Sequence, residues 1–324
     1  MRLAMDLPDS GLAEAQSALT GIMDAHTHPP SNAVVCRCWK DILKAFQSFP
    51  SQPEDWLFDD QGEPFPADPL WIFRGQANAG WHLSPTIERN VGKVSWVDAE
   101  RTIFEEFSSR AHLYVKDPLP SIDDRALWWS LMQHLEMPTR LLDFTFSPYV
   151  ALFFALQQFQ PLTGFAKVWA IDLHVLREAS RSVYRQLEGM RPGGLNPNIP
   201  KGDLVKKAMS STSITNWRLD HGGFVVALEA TQANPRLAYQ QGLFLMNGAF
   251  GSNFEQSLDG MMASQKDWRT LIYVDRECRA EVLRRLFQMN IHEFSLFPDV
   301  TGLGRYARLK AELFCRQQAM EDDE

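Results

Sequence analysis

The longest stretch without a charged residue runs from Phe144 to Ala166, between Asp143 and Lys167. Its length alone would suit a membrane span. Pro148, Gln157, Gln158, Gln160, Pro161 and Gly164 break it, and the continuous apolar block is only Tyr149 to Leu156. A block that short and apolar on every face fits a helix buried in a protein core. Ser147 supplies a cap and Pro148 the first helical position. Arg140–Phe144, just upstream, reads as a strand. The fold therefore has to enclose a strand that feeds a wholly buried helix. With 324 residues, 45% hydrophobic and 22% charged, the chain has the apolar mass for one large domain or two modest ones.

The remaining pattern mixes strands and helices without strict βαβ alternation, which predicts an α+β fold. Helical spacing marks residues 39–49, 97–115, 124–135 and 277–290, with a further short helix expected near Leu12–Thr20. Strand signals fall at 71–74, 168–173, 222–229, 240–248, 268–274 and 291–297. Proline and acidic residues make 50–69 an exposed loop, Gly and Pro make 189–202 another, and Asp299–Gly304 a third. Residues 1–35 read as a leading segment, 36–315 as the domain with core motifs at 71–160 and 220–305, and 316–324 as an acidic tail.

Charge and cysteine content exclude several classes. Lys plus Arg total 32 and Asp plus Glu 40, a formal net charge of −8, which argues against a broad non-specific phosphate-binding surface. The N-terminus lacks the apolar core of a signal peptide, and no membrane partner is expected. Four scattered cysteines do not make a disulfide framework, so the cytoplasm is the expected compartment. Asp24-Ala25-His26-Thr27-His28 resembles a first metal-ligand pair, but the other histidines lack the strand-end setting that would complete a site. No metal is expected. Phosphate-loop and nucleophile-elbow motifs are absent.

Two segments carry chemistry. In Phe73-Arg74-Gly75-Gln76, followed by Trp81, Leu83, Pro85 and Arg89, an arginine at a strand end stands beside a glycine. A guanidinium suits bidentate contact with phosphate or carboxylate, and glycine lets a ligand approach the backbone. The plainer alternative is an arginine paired with an internal acid beside a turn. In Gln133-His134-Leu135-Glu136-Met137-Pro138-Thr139-Arg140-Leu141-Leu142-Asp143-Phe144-Thr145, charged groups interrupt strongly apolar sequence. Isolated buried charges are expensive, so Arg140 and Asp143 are expected to pair with each other or with Arg74 and Glu136.

These segments, with Tyr239-Gln240-Gln241-Gly242-Leu243-Phe244 and Ile291–Asp299, resemble the FRG family, named for its Phe/Tyr-Arg-Gly motif. The resemblance spans roughly residues 40–305. Leu135-Glu136 stands where the family carries an aromatic residue and glycine, and Phe144 where it carries tryptophan. The order of blocks is also similar to that of ADP-ribosyltransferases. That resemblance implies a split, mostly antiparallel sheet flanked by helices, with NAD as substrate. Arg74 would hold the pyrophosphate and Gln76 the ribose or a phosphate. Thr145, Ser147 and Tyr149 would wall the nicotinamide pocket, with Gly75, Arg140 and Gln241 completing the NAD-contacting set. Glu293 would steady the oxocarbenium-like charge, Glu229 and Glu255 being alternatives for that role. Ser211-Thr212-Ser213 superficially resembles the Ser-Thr-Ser of some such transferases, though short Ser/Thr runs are commonly caps or loops. The implied partners are a protein or nucleic-acid acceptor and, for a bacterial toxin or phage-defence effector, an antidote or regulatory protein. Two alternatives stay open. One is a nucleic-acid-binding or -modifying domain using a groove of Arg74, Arg89, Arg140, Lys201, Lys206 and Lys207. The other is a nucleotide sensor or interaction module without catalysis.

Overall fold

The computed structural model describes residues 29, 33–49, 57–58, 64–65, 71–90, 95–158, 164–189, 223–228, 235–248 and 252–321. The expected helix at 12–20, the His26/His28 pair, the 190–202 part of the glycine- and proline-rich loop, the Ser211–Ser213 run and Lys201, Lys206 and Lys207 lie outside them. The strands are β1 (Val34–Cys36), β2 (Leu57–Phe58), β3 (Pro64–Phe65), β4 (Trp71–Gln76), β5 (Leu141–Thr145), β6 (Phe165–Asp172), β7 (Val225–Leu228), β8 (Gly242–Asn247) and β9 (Arg269–Asp275). The helices are α1 (Trp39–Gln47), α2 (Thr86–Asn90), α3 (Trp96–Arg110), α4 (Arg125–His134), α5 (Pro148–Leu156), α6 (Leu173–Gly189), α7 (Pro235–Tyr239), α8 (Phe254–Met261), α9 (Arg279–Gln288), α10 (Glu293–Leu296) and α11 (Val300–Glu321).

Seven strands form one sheet in the order β1-β9-β6-β4-β5-β8-β7, and β2 pairs separately with β3. Every pairing in the large sheet is antiparallel except β1 with β9. Side chains alternate between its faces, as a period of two requires. Ile72, Trp169 and Ile171 join Phe104, Trp128, Trp129 and Leu176 in one apolar layer. Phe73, Val168 and Ala170 join Ile42, Phe46, Phe153, Val282 and Leu286 in the other. The fold is thus α+β, with helices covering both faces of the sheet.

The expected split is a pinch. β4 pairs with β6 along its whole length, from Trp71↔Asp172 to Gln76↔Lys167, and β5 pairs with β8 over five residues. Between β4 and β5 the only register pair is Phe73↔Thr145. The sheet opens beyond that point, at Arg74.

Helix α5 behaves as its composition demands. Val150–Phe153, Ala155 and Leu156 are buried, and the Ser147 side chain accepts the Val150 N–H at 3.3 Å. Among the described residues no helix is long and apolar enough to cross a membrane. The helix lies backbone-to-backbone on β4. A Cβ on Gly75 would overlap the Ala151 carbonyl oxygen and stand 2.6 Å from the Ala155 nitrogen. The glycine is therefore required by the helix, and the backbone approach that the sequence reading reserved for a ligand is taken by α5.

Three expectations change. The strand expected at 291–297 is the short helix α10, because the His292 ring accepts the Ser295 N–H at 3.2 Å and the Ser295 hydroxyl accepts the His292 N–H at 3.1 Å. This reciprocal cap outweighs the apolar residues around it. The loop expected at Asp299–Gly304 is the first turn of α11, where Asp299 accepts the Gly302 N–H at 2.6 Å. Within the loop expected at 50–69, Leu57–Phe58 and Pro64–Phe65 pair as a small antiparallel hairpin. Glu136, where the family pattern carries glycine, has φ 60. The left-handed conformation costs a non-glycine residue about 1–2 kcal/mol, so the turn after α4 carries some strain.

Candidate functional site

The pinch opens into a cleft of about 300 Å³, lined by β4, β5, the loop after β4, the end of α5, and residues of α7 and α11. Such a volume falls at the lower end of small-ligand sites. Phe73, Phe144, Phe154 and Phe297 give it apolar walls, while Arg74, Arg89, Arg236 and Arg305 enter from four elements against one acid, Asp143. A chain of net charge −8 has therefore gathered a local cationic cleft, where low-dielectric walls strengthen the field.

Arg74 is the centre of this group. Its Nη1 donates to the Asp143 carbonyl oxygen at 2.6 Å and lies 4.0 Å from the Asp143 carboxylate. That carboxylate also accepts the Gln133 Nε2 at 2.9 Å, so it is shared. The Arg74 Nε is buried with no hydrogen-bond partner among the described residues. Burial pushes the Arg74 guanidinium below its ordinary value; Asp143 opposes that and the nearby Arg89 adds to it. An arginine stays protonated through such a shift. The result is a partly buried cation with an idle buried Nε and incomplete neutralisation, which a phosphate or carboxylate would relieve.

Two further arginines are held by one ring. Arg236 lies 4.2 Å and Arg305 5.5 Å from the Phe297 centroid, and Phe154 packs edge-on against the same ring at 5.9 Å. Cation–π contact fixes both guanidinia without cancelling their charge. Arg305 has a distant carboxylate partner in Glu136, at 3.7 Å. Arg89 makes no ion pair among the described residues.

Gln157, Gln158 and Arg305 also line a second hollow of about 260 Å³, together with Glu293, Arg308, Leu309 and Glu312. Glu293 is only 4% exposed, and its Oε2 is buried without a hydrogen-bond partner among the described residues. Burial raises its carboxyl above the ordinary glutamate value, with Arg279 and Arg305 opposing. The two hollows are therefore neighbours through shared walls, one cationic, the other holding an idle buried carboxyl group.

The residues expected from sequence divide clearly. Arg74, Gly75, Gln76 and Thr145 line the cleft, and Glu293 lines its neighbour. Gln76 already spends both ends of its amide, accepting the Trp169 Nε1 at 2.6 Å and donating to the His82 carbonyl at 3.0 Å. Thr145 donates to the Gln240 carbonyl at 2.7 Å and accepts the Ser147 N–H at 3.0 Å. Ser147 is the cap of α5. Tyr149 packs against Trp39 and Phe46 in the second apolar layer. Gln241 is exposed at the turn into β8, with φ 46. Arg140 is buried away from the cleft, its Nε on the Glu100 Oε1 at 2.6 Å, with a second contact between its Nη2 and Glu100. The expected pairing of Arg140 with Asp143, Arg74 or Glu136 is thus replaced by Glu100, which the sequence reading did not single out. It also removes Arg140 from the expected basic groove.

Sequence reasoning missed Arg236 and Arg305 in the cleft wall, and it gave no role to Gln240 or Phe297, which lie within the Tyr239–Phe244 and Ile291–Asp299 blocks. The two arginines come from α7 and α11, and no local motif announces them. It also missed His82, a cleft residue whose Nδ1 lies 3.2 Å from Glu255. Of the alternative acids, Glu255 is committed to this contact and to the Leu83 N–H at 2.6 Å, and Glu229 lies outside the described residues. Among the described residues no group of three or more His, Cys, Asp or Glu side chains is placed to hold a metal ion.

Residues 69–162, which carry β4, the loop beyond it, β5 and α5, match the family model of the FRG domain. No curated protein and no solved structure gives a significant match to the chain.

Proposed function

We propose that this chain, which carries an FRG domain, is an ADP-ribosyltransferase-like enzyme that takes NAD as substrate and passes ADP-ribose to a macromolecular acceptor. The observation that carries the reading is the cationic cleft at the sheet pinch, built around a buried Arg74 Nε with no partner among the described residues, in an otherwise acidic protein. The pinch between β4 and β5 supports an ADP-ribosyltransferase-like split core. The residues present suit a dinucleotide. Arg74, with Arg236 and Arg305, would hold the pyrophosphate, and Phe144 and Thr145 would form the inner wall.

Cleaving the bond between nicotinamide and ribose builds positive charge at the anomeric carbon. A carboxylate held nearby stabilises that charge, and a water-poor site makes it count for more. Glu293, in the adjoining hollow, is the residue this account assigns. The acceptor, a protein or a nucleic acid, would capture the ribose from the open side of the cleft.

A second reading rests on one observation. Glu293 lines the neighbouring hollow and not the arginine cleft itself. A nucleotide-binding module without turnover would need only the arginines.

The test is incubation of the full chain with adenine-labelled NAD and a whole-cell lysate, beside Arg74→Ala. The expected result is label in the protein or the nucleic-acid fraction, falling to background in the variant while its melting temperature shows it folded. Absence of label and of free nicotinamide with the unaltered chain would contradict transfer. Binding of ADP-ribose alone would then favour the second reading.

A further inference from the structure

We propose that Trp81 is the stacking platform for the adenine base, an inference that rests on the NAD reading above and locates one half of the substrate. Trp81 lines the cleft and is 45% exposed, and among the described residues no aromatic ring packs against it. Its backbone is pinned on both sides. The Trp81 N–H donates to the Asn78 carbonyl at 3.2 Å, and its own carbonyl accepts the Lys167 Nζ at 3.0 Å. The next carbonyl, of His82, accepts the Gln76 Nε2 at 3.0 Å. The Leu83 N–H then donates to Glu255 at 2.6 Å. Groups from β4, β6 and α8 thus fix the loop, while the half-exposed indole lines the cleft. A platform held this way loses little freedom when a base stacks on it.

Charge selects which base. The four arginines disfavour a pyridinium cation and tolerate a neutral purine, which also offers the larger stacking face. Trp81 does not line the second hollow, where Glu293 offers an idle carboxyl group beside Arg305 and Arg308, the Glu312 carboxylate being paired with Arg279. Adenine on Trp81, pyrophosphate over the arginines and the pyridinium end toward the Glu293 carboxyl is the arrangement that gives each part of the dinucleotide a suitable partner.

Calorimetric titration of the full chain with ADP, with inorganic pyrophosphate and with nicotinamide mononucleotide tests this in the unaltered protein, Trp81→Ala and Trp81→Phe. Losing one base stack weakens binding roughly ten- to a hundredfold. ADP should weaken by that factor in Trp81→Ala and recover most of it in Trp81→Phe, with pyrophosphate unchanged in both. Three results overturn the proposal: unchanged ADP affinity in Trp81→Ala, an equal loss for pyrophosphate, or a loss confined to nicotinamide mononucleotide. If the unaltered chain binds neither ADP nor pyrophosphate, the nucleotide reading of the cleft falls, and this proposal with it.

Discussion

Glu293 illustrates how one buried group can be both costly and useful. Its carboxyl sits above its ordinary value of 4.5 because burial disfavours the anion, whereas the anion is the form that stabilises a growing positive charge. The rate of NAD cleavage should therefore rise with pH along an acid limb centred above 4.5. Glu293→Gln should remove that limb and lower the rate by about a hundredfold or more, the scale of one electrostatic contact to a transition state. A limb centred at or below 4.5, or one that survives in the variant, would assign it to another group. At this scale the sequence is most legible where one residue type serves one purpose. Arg74 stood out because a strand-end arginine beside glycine is chemically pointed. Arg140, just before β5, stood out for its charge, but its partner Glu100 is forty residues upstream on helix α3, and nothing local pairs them. Arg236 and Arg305 were invisible for the same reason, since their meaning lies in sharing the face of Phe297.

Strand β4 and helix α5 form the element pair on which the cleft depends, and Gly75 sets their spacing. Gly75→Ala would force a methyl into the backbone of α5. The cost expected is that of overpacking, about 1–3 kcal/mol, read as a lower melting temperature and urea midpoint. An unchanged midpoint would mean that the helix can ride up without loss. The sequence made this pair visible as elements, because a capped apolar block following a strand permits few other structures. The reason for the glycine was not visible, since a close helix and a close ligand call for the same residue. The elements after residue 290 were misread because short apolar runs do not distinguish strand from helix. There the decision lies with a histidine acting as a helix cap, an uncommon use of that side chain. Helix α6 escaped notice because its residues follow β6 with no turn between them.

Across the whole molecule, net charge and site charge have opposite signs, so composition spoke only to a broad phosphate-binding surface and could not show the local cleft. The same loop-bearing region couples stability to pH through Glu88. Its carboxyl accepts the Phe254 N–H at 2.9 Å and the Ser84 hydroxyl at 3.3 Å, tying the segment beyond Trp81 to α8. Burial nonetheless lifts it to about 7 from an ordinary 4.5. Between those values the folded chain keeps a proton that the unfolded chain has released, so stability falls as pH rises across that window and is level above it. Glu88→Gln keeps an acceptor and removes the charge, and should be the more stable protein in urea at pH 8 with little difference at pH 4. The same slope in both proteins would contradict this assignment. The central claim concerns chemistry in the cleft, and release of free nicotinamide from NAD in the presence of lysate tests it most directly. The account predicts release by the unaltered chain and about a hundredfold less by Glu293→Gln; no release, or equal release by both proteins, would contradict it.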